Sequence, residues 1–243
     1  MSRTRRAAEG KDGVQAQAQP DLKAIMEYAG KLRDVLPLHI LEQSDKEDLA
    51  RQMHVRHFKA DEVIYHQGDP AGDAHVVYQG LVKVMLVNAE GNEALVTLHR
   101  RGDFFGECAL FNDSERDETI IAVIATTTLQ LSRESCHRVL DRNEKTRDWM
   151  FHHLTETIER LQNRYQSMVF LDVPGRLACY LLETAAIGSD LPIRQDDLAA
   201  AIASTRVTVN KILADFERRG LLKVSRRKFE ILDSAGLEKE MNR

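Results

Sequence analysis

The chain has little of what covalent or metal-held folds are made from. Its 243 residues include three cysteines, Cys108, Cys136 and Cys179. These are far apart and form neither a CxxC pair nor a Cys/His ligand set, so a disulfide framework and a structural zinc are both excluded as the organising principle. The thiols read as reduced, buried or incidental. No apolar run has the length of a membrane span, and the opening MSRTRRAAEGKDG has no hydrophobic core of signal-peptide type. The expectation is a cytoplasmic protein without a membrane partner. A GxxxxGK phosphate loop, a nucleophile elbow and a metal-hydrolase motif are also missing, and with them the enzyme classes those motifs serve. The chain reads as a non-enzyme with no metal site. Residues 1–20 carry three arginines among Gly, Gln and Ala, lack apolar periodicity and end at Pro20. They read as a flexible tail whose arginines could touch a polyanion, and the length beyond it suits two domains.

What is present is most informative near the C-terminus. The segment QDDLAAAIASTRVTVNKILADFE, Gln195 to Glu217, reads as two short helices broken at Ala203-Ser204-Thr205. Leu198 and Ile202 share one face of the first, while Gln195, Asp196 and Asp197 crowd its first turn, where the helix dipole favours carboxylates. Thr205 suits the N-cap of the second helix. There Val209, Ile212, Leu213 and Phe216 recur at helical spacing and predict a core face, leaving Arg206, Val207, Thr208, Asn210 and Lys211 outside, where they could enter a major groove. This is a helix-turn-helix pattern, with an ordinary helical hairpin as the alternative.

Gly220 then closes the helix, and Leu221–Val224 with Phe229–Leu232 predict two strands around Ser225, Arg226, Arg227 and Lys228, a wing on the helices. Between Arg206 and Lys228 stand eight basic residues against Asp215 and Glu217, whereas the whole chain has a net charge of −4. Positive charge is concentrated here, as contact with the phosphates of double-stranded DNA requires; a merely solvated basic face is the alternative.

Upstream, short β-type runs separated by turn residues cover Glu62–Tyr65, His75–Tyr78, Leu81–Val87, Ala94–His99 and Ile120–Leu131. They predict a sandwich or jelly roll, preceded by helical material around Asp21–Met53. From Asn143 to Val169, Met150, Leu154, Thr157, Leu161 and Met168 follow three- and four-residue steps, interrupted by Arg164, and predict a long dimerisation helix. The alternative is a helix packed on its own sensor domain. Asp172-Val173-Pro174 breaks the chain before a further helix, with Asp172 able to cap it. The resulting expectation is an α+β chain with limits at 1–20 (tail), 21–142 (β-roll sensor), 143–171 (dimerisation helix and hinge) and 172–243 (winged helix-turn-helix).

In this order, the strings HQGDPAGDAHVVYQGLVKVML (66–86), RGDFFGECALF (101–111), VFLDVPGRLACYLL (169–182) and TRVTVNKIL (205–213) resemble the CRP/FNR family of transcription regulators, over about residues 25–235. The resemblance implies a homodimer that binds a palindromic operator through two winged helices, works with RNA polymerase, and senses a small molecule in a cyclic-nucleotide-binding β-roll. Phe170, Leu171 and Asp172 would form the hinge.

The family's ligand loop matches Gly106, Glu107, Cys108 and Ala109, where the glutamate would accept from a ribose hydroxyl and Arg116 would pair with a cyclic phosphate. The chain departs from the cyclic-AMP pattern in two places. Asp117 and Glu118 follow the arginine in place of a hydroxyl-bearing and a small residue, so that with Asp113 and Glu115 four carboxylates surround one cation. Leu161 and Gln162 stand where the long helix would offer hydroxyls to the adenine. The expectation is an effector other than cyclic AMP, or none, and a salt-bridged loop kept for folding is the alternative for Glu107 and Arg116. No cysteine precedes Cys108, which excludes the N-terminal iron–sulfur cluster of the oxygen-sensing branch. Haem on one of the nine histidines remains open, as does a regulatory module acting through protein partners. Val207 replaces the glutamate that follows the recognition arginine in the best-known members, and Lys211 stands where an arginine is common.

Overall fold

The computed structural model describes residues 49, 51–111, 115–188, 191–225 and 228–242. Most of the helical material expected at 21–53 lies outside the described residues, as do Asp113, Arg226 and Arg227. Among the described residues the N-terminal part holds eight strands: β1 (His54–Phe58), β2 (Val63–Tyr65), β3 (Asp73–Gln79), β4 (Leu81–Val87), β5 (Glu93–Arg100), β6 (Phe104–Phe105), β7 (Thr119–Ala122) and β8 (Thr126–Ser132). They form two antiparallel four-stranded sheets in the orders β1-β8-β3-β6 and β2-β7-β4-β5. The single run expected at Ile120–Leu131 is corrected to two strands, because the chain bends at 123–125 and crosses from one sheet to the other.

After the short helix α1 (Cys108–Phe111) come α2 (Arg133–Arg142), α3 (Glu144–Phe170), α4 (Val173–Ile187), α5 (Gln195–Ala201), α6 (Arg206–Arg218), the hairpin β9 (Leu222–Ser225) and β10 (Lys228–Ile231), and α7 (Ser234–Met241). Helix α3 starts on Asn143, whose side chain accepts from Thr146 N, and runs 27 residues, about 40 Å. It stops at Leu171, which is extended, and Asp172 caps α4 by accepting from Gly175 N at 2.8 Å. Two extended residues therefore join the long helix to the C-terminal part.

The core explains why the strands do not alternate cleanly between apolar and polar. Neighbouring residues point to opposite faces of a sheet, and here both faces are covered. Ala74, Val76, Phe104, Leu129 and Leu131 pack with Cys136, Val139, Leu140 and Met150 of α2 and α3, whereas Val77, Val82, Val84, Phe105 and Ile120 meet between the sheets. The outer face of the second sheet, through Leu81, Met85, Leu95 and Leu98, joins the core that also contains Leu177, Leu181, Leu198, Ile202, Leu213 and Phe216. Lys83 on that face bonds Asp197 of α5 at 2.6 Å.

The seam read along α3 needs correction. Met150 and Leu154 pack on the chain's own β-roll core rather than standing free, because Trp149 and His153 turn that side of the helix onto Phe104. The exposed apolar stripe is Phe151, Ile158, Leu161, Tyr165 and Val169, ending at Phe170, which is 78% exposed. Arg164 is no surface interruption: its guanidinium donates to the carbonyls of Leu95 and Ala201 and lies 4.8 Å over the Tyr180 ring. One side chain thus touches the second sheet, the end of α5 and α4.

Candidate functional site

Two groups of residues carry the chemistry. The first is the face of α6. Thr205 caps the helix, its hydroxyl accepting from Thr208 N at 3.2 Å and lying 2.9 Å from the Thr208 hydroxyl. The turn before it is made by Ala203 in the left-handed region, at φ 49°. Val209, Leu213 and Phe216 are buried, which leaves Arg206, Val207, Asn210 and Lys211 exposed on one side, with Thr208 half-buried among them. Val207 is 65% exposed. Arg206 Nη1 rests 3.4 Å from Asp196 Oδ2, both side chains in solvent, so the pair is weak and the guanidinium can leave it for a base edge. Gln195 is half-buried at the start of α5. In the wing, Lys228 pairs in register with Ser225. The positively charged helix face, the wing and the short first helix form the geometry of a groove reader.

The second group is the loop at the end of β6. Gly106 has φ 79°, and a Cβ there would lie 3.0 Å from Arg116 Nη1, so the loop and the guanidinium are in direct contact. Glu107 faces His153 of α3, with Nε2 3.6 Å from Oε1, a charge-pair distance rather than a hydrogen bond. Burial raises the Glu107 carboxyl, but His153 and the loop's own amide outweigh it and hold it below the usual range. Cys108 is exposed and Ala109 buried. Burial pushes the thiols up, Cys136 to about 12 and Cys179 to about 11, with Cys108 also raised, so none is a ready nucleophile.

Arg116 is 7% exposed and already engaged. Its Nη1 donates to the Asp73 carbonyl at 2.8 Å, its Nη2 to the Asp73 carboxylate, and its carbon centre lies 4.0 Å from the Tyr65 ring centroid. Of the four carboxylates expected around it, Asp113 lies outside the described residues; for the other three the expectation is corrected, although the Glu118 charge still acts on Arg116. Glu115 and Asp117 are exposed to solvent, and Glu118 turns to Tyr65, whose hydroxyl donates to it at 3.2 Å. Burial, then the charge of Glu107, raises Glu118. The neutralising carboxylate is Asp73: burial opposes its ionisation, but His75, Arg116 and Gln130 together hold it down to about 2. Leu161 and Gln162 are exposed on α3, and the residue of that helix that reaches Glu107 is His153.

The interior beside this loop is aromatic. His75 stacks on Phe105 at 5.1 Å, and His99 stacks on the same ring at 5.8 Å. Burial keeps His75 below its ordinary pKa, and its Nδ1 lies 3.1 Å from the Thr128 hydroxyl. Sequence reading missed Asp73, His153 and the Lys83–Asp197 link. The one available signal was Lys83, a charge inside the apolar run LVKVMLV; Asp73 stands between Gly72 and Ala74 at the edge of a run and gave no such signal.

Residues 55–143 match the model of the cyclic nucleotide-binding domain, and residues 175–240 that of the Crp-like helix-turn-helix domain. The chain is 31% identical over 198 residues to the transcriptional regulator SdrP of Thermus thermophilus, covering 74% of this chain and 91% of that one. It is 25% identical over 198 residues to the CRP-like cAMP-activated global transcriptional regulator of Mycobacterium tuberculosis, covering 78% and 88%. Among solved structures, FixK2 from Bradyrhizobium japonicum superposes with a TM-score of 0.71 at 19% identity over 77% of this chain and 96% of that one, a likeness of fold. A CRP/FNR-family regulator from Thermus thermophilus superposes with a TM-score of 0.64 at 28% identity, covering 78% and 99%. With a cyclic-nucleotide-binding-type sensor domain joined by a long helix to a Crp-like helix-turn-helix, the chain belongs to the CRP/FNR family of DNA-binding, non-enzymatic transcription regulators.

Proposed function

We propose that the protein acts in the cytoplasm as a homodimer that reads a palindromic operator and addresses RNA polymerase from it, with a sensor that cyclic AMP does not control. The observation that carries the DNA-reading part is the exposed α6 face, with Arg206 at its first position on a capped helix. The stripe from Phe151 to Phe170 supports the dimer, since a long helix leaving six large apolar groups in water has its natural cover in a second copy. The working units are 21–142, 143–171 and 172–243, with bending at Phe170, Leu171 and Asp172. No helix among the described residues is long and apolar enough to cross a membrane.

The effector reading follows from Arg116. A cyclic phosphate arriving at Gly106–Ala109 meets a guanidinium already paired with Asp73, and an adenine meets leucine and glutamine at 161 and 162 rather than hydroxyls. Each polar group left without a partner costs about 1–3 kcal/mol, enough to carry a micromolar ligand towards millimolar. Another small molecule, or none, then sets activity. Selection of bound duplexes from a random pool, with sedimentation of the free protein, is the test. Enrichment of an inverted repeat by a dimer is expected, and a micromolar monomer or an unselective pool would overturn the reading. Calorimetry with cyclic AMP tests the effector part, where micromolar binding coupled to tighter operator binding would refute it.

A further inference from the structure

We propose that Asp73 is a built-in anion: its carboxylate occupies Arg116 in place of a ligand's phosphate and sets the sensor against monoanionic phosphodiesters. This deepens the reading of Gly106–Arg116 as the sensor loop and rests on it. The two partners come from elements that are each held on their own account. Asp73 opens β3, paired in register with Ser132 of β8, and Gln130 of the same strand donates to its second oxygen. Arg116 is fixed through its backbone, its N–H donating to Asp69 O at 2.7 Å and its carbonyl accepting from Gly68 N at 2.8 Å. The guanidinium is therefore aimed rather than loosely collapsed. It takes both the carbonyl and the carboxylate of one residue, and Tyr65 covers its face. His75 Nε2, 3.5 Å from the same carboxylate oxygen, closes the far side.

Charge and tethering together decide the competition. A cyclic phosphodiester carries one negative charge, as Asp73 does, so exchanging one for the other at Arg116 gains no electrostatic energy. The carboxylate is part of the fold and acts at the high effective concentration of an intramolecular partner, whereas the ligand must be drawn from solution. Displacement would also leave a buried carboxylate facing a second anion. Gly106 shows that this seat is the one beside the ligand loop, because its absent side chain is what lets the guanidinium lie 3.0 Å from the Cβ position. The Arg116 Nε is buried without a hydrogen-bond partner, a donor still open in the folded chain.

The test is calorimetry of the full chain with cyclic AMP, inorganic phosphate and adenosine, comparing wild type, Asp73→Asn, Asp73→Ala and the double variant Asp73→Asn/Arg116→Ala. Removing the carboxylate charge should tighten cyclic AMP and phosphate at least tenfold, leave adenosine unchanged, and lose the gain in the double variant. Equal affinities in wild type and both single variants, or a gain that survives loss of Arg116, would overturn the proposal while leaving the weak cyclic AMP binding of the preceding reading intact. Micromolar binding by wild type would instead remove both. Side-chain nitrogen NMR of the unmodified protein gives a measurement independent of how the variants fold. The Arg116 signals should show the slow rotation of a guanidinium held at two points, by the Asp73 carbonyl and carboxylate, and not move with added phosphate, and freely averaged signals that follow phosphate would overturn the assignment.

Discussion

Breaking the Lys83–Asp197 pair asks whether the first helix of the DNA-reading motif is fastened to the sensor sheet. Lys83 Nζ lies 2.6 Å from Asp197 Oδ1, with side chains 14% and 9% exposed. The surrounding wall is apolar, with Leu81, Met85, Leu95 and Leu98 on one side and Leu198, Ala199 and Ile202 on the other. At an effective dielectric of about 20 the attraction at this distance is about 6 kcal/mol, most of which desolvation takes back. Removing one partner is different, since it leaves the other charge buried and unpaired, and Lys83→Met should cost about 3–5 kcal/mol. Asp197→Asn should cost a similar amount; the amide oxygen can still accept from Arg194 N, as the carboxylate does at 3.3 Å. Because Lys83→Met/Asp197→Asn leaves no uncompensated charge, its cost should fall short of the sum by about 2–3 kcal/mol. Urea unfolding, followed by far-UV circular dichroism and by the fluorescence of Trp149, the single tryptophan, gives the four values of the cycle. The two probes should coincide in wild type and separate in the single variants, because Trp149 reports the sensor side. A coupling energy under about 0.5 kcal/mol, with the probes coincident throughout, would refute the idea that these two units are clasped together.

Arg206→Ala should weaken binding to the selected operator by about 1–3 kcal/mol and relax one base pair per half-site, whereas Lys228→Ala should weaken all sequences alike and lower the salt slope by about one, both read from titrations at several salt concentrations. With Val207 exposed where an acceptor would read a cytosine amine, the selected half-site should differ from TGTGA at its inner G·C pair, and recovery of an unaltered TGTGA would count against this. Ala203→Gly should stabilise the chain by about 0.5–1 kcal/mol in thermal unfolding, because the left-handed backbone there is free of strain only for glycine. Asp73 is held at about 2 against an ordinary 3.8, so it contributes stability above the unfolded value that is lost as pH falls from about 4 to about 2. Asp73→Asn should remove about 2 kcal/mol of that acid dependence in unfolding measured across the range.

The C-terminal part was legible because its information is local. Thr205 as cap, Arg206 as first helical residue, the Val209–Leu213–Phe216 face and Asp172 capping before Pro174 all depend on residues within four positions of each other, the range over which a helix sets spacing. The wing strands fell within one residue of their expected limits for the same reason. The β-roll was legible as a class but not as a topology. Nothing near Val123 announces that the chain changes sheets there, and β1 falls between the helical material expected up to Met53 and the first expected β run at Glu62. The α3 seam misled because the helix has apolar residues on two sides, one packed on the chain's own core and one exposed, and spacing alone does not say which stripe goes where.

The Gly106–Arg116 loop was the least legible part, and the misreading there has a specific form. Reading the chain linearly assigned Arg116 the carboxylates nearest in sequence, but a strand-and-loop segment throws successive side chains to opposite sides, so Asp117 and Glu115 are carried away from the guanidinium while Asp73, 43 residues earlier, is brought to it. The same geometry gives Glu107 its partner from α3 and gives Lys83 one from α5, 114 residues on. Each of these pairs joins one layer to another, so each depends on how sheets and helices stack and leaves no periodic trace in the sequence. Charges isolated within apolar runs are the only advance notice. Because burying such a charge without a partner costs several kcal/mol, an isolated Lys83 already implies an opposite charge on the layer packed against it, even when the sequence does not say which one.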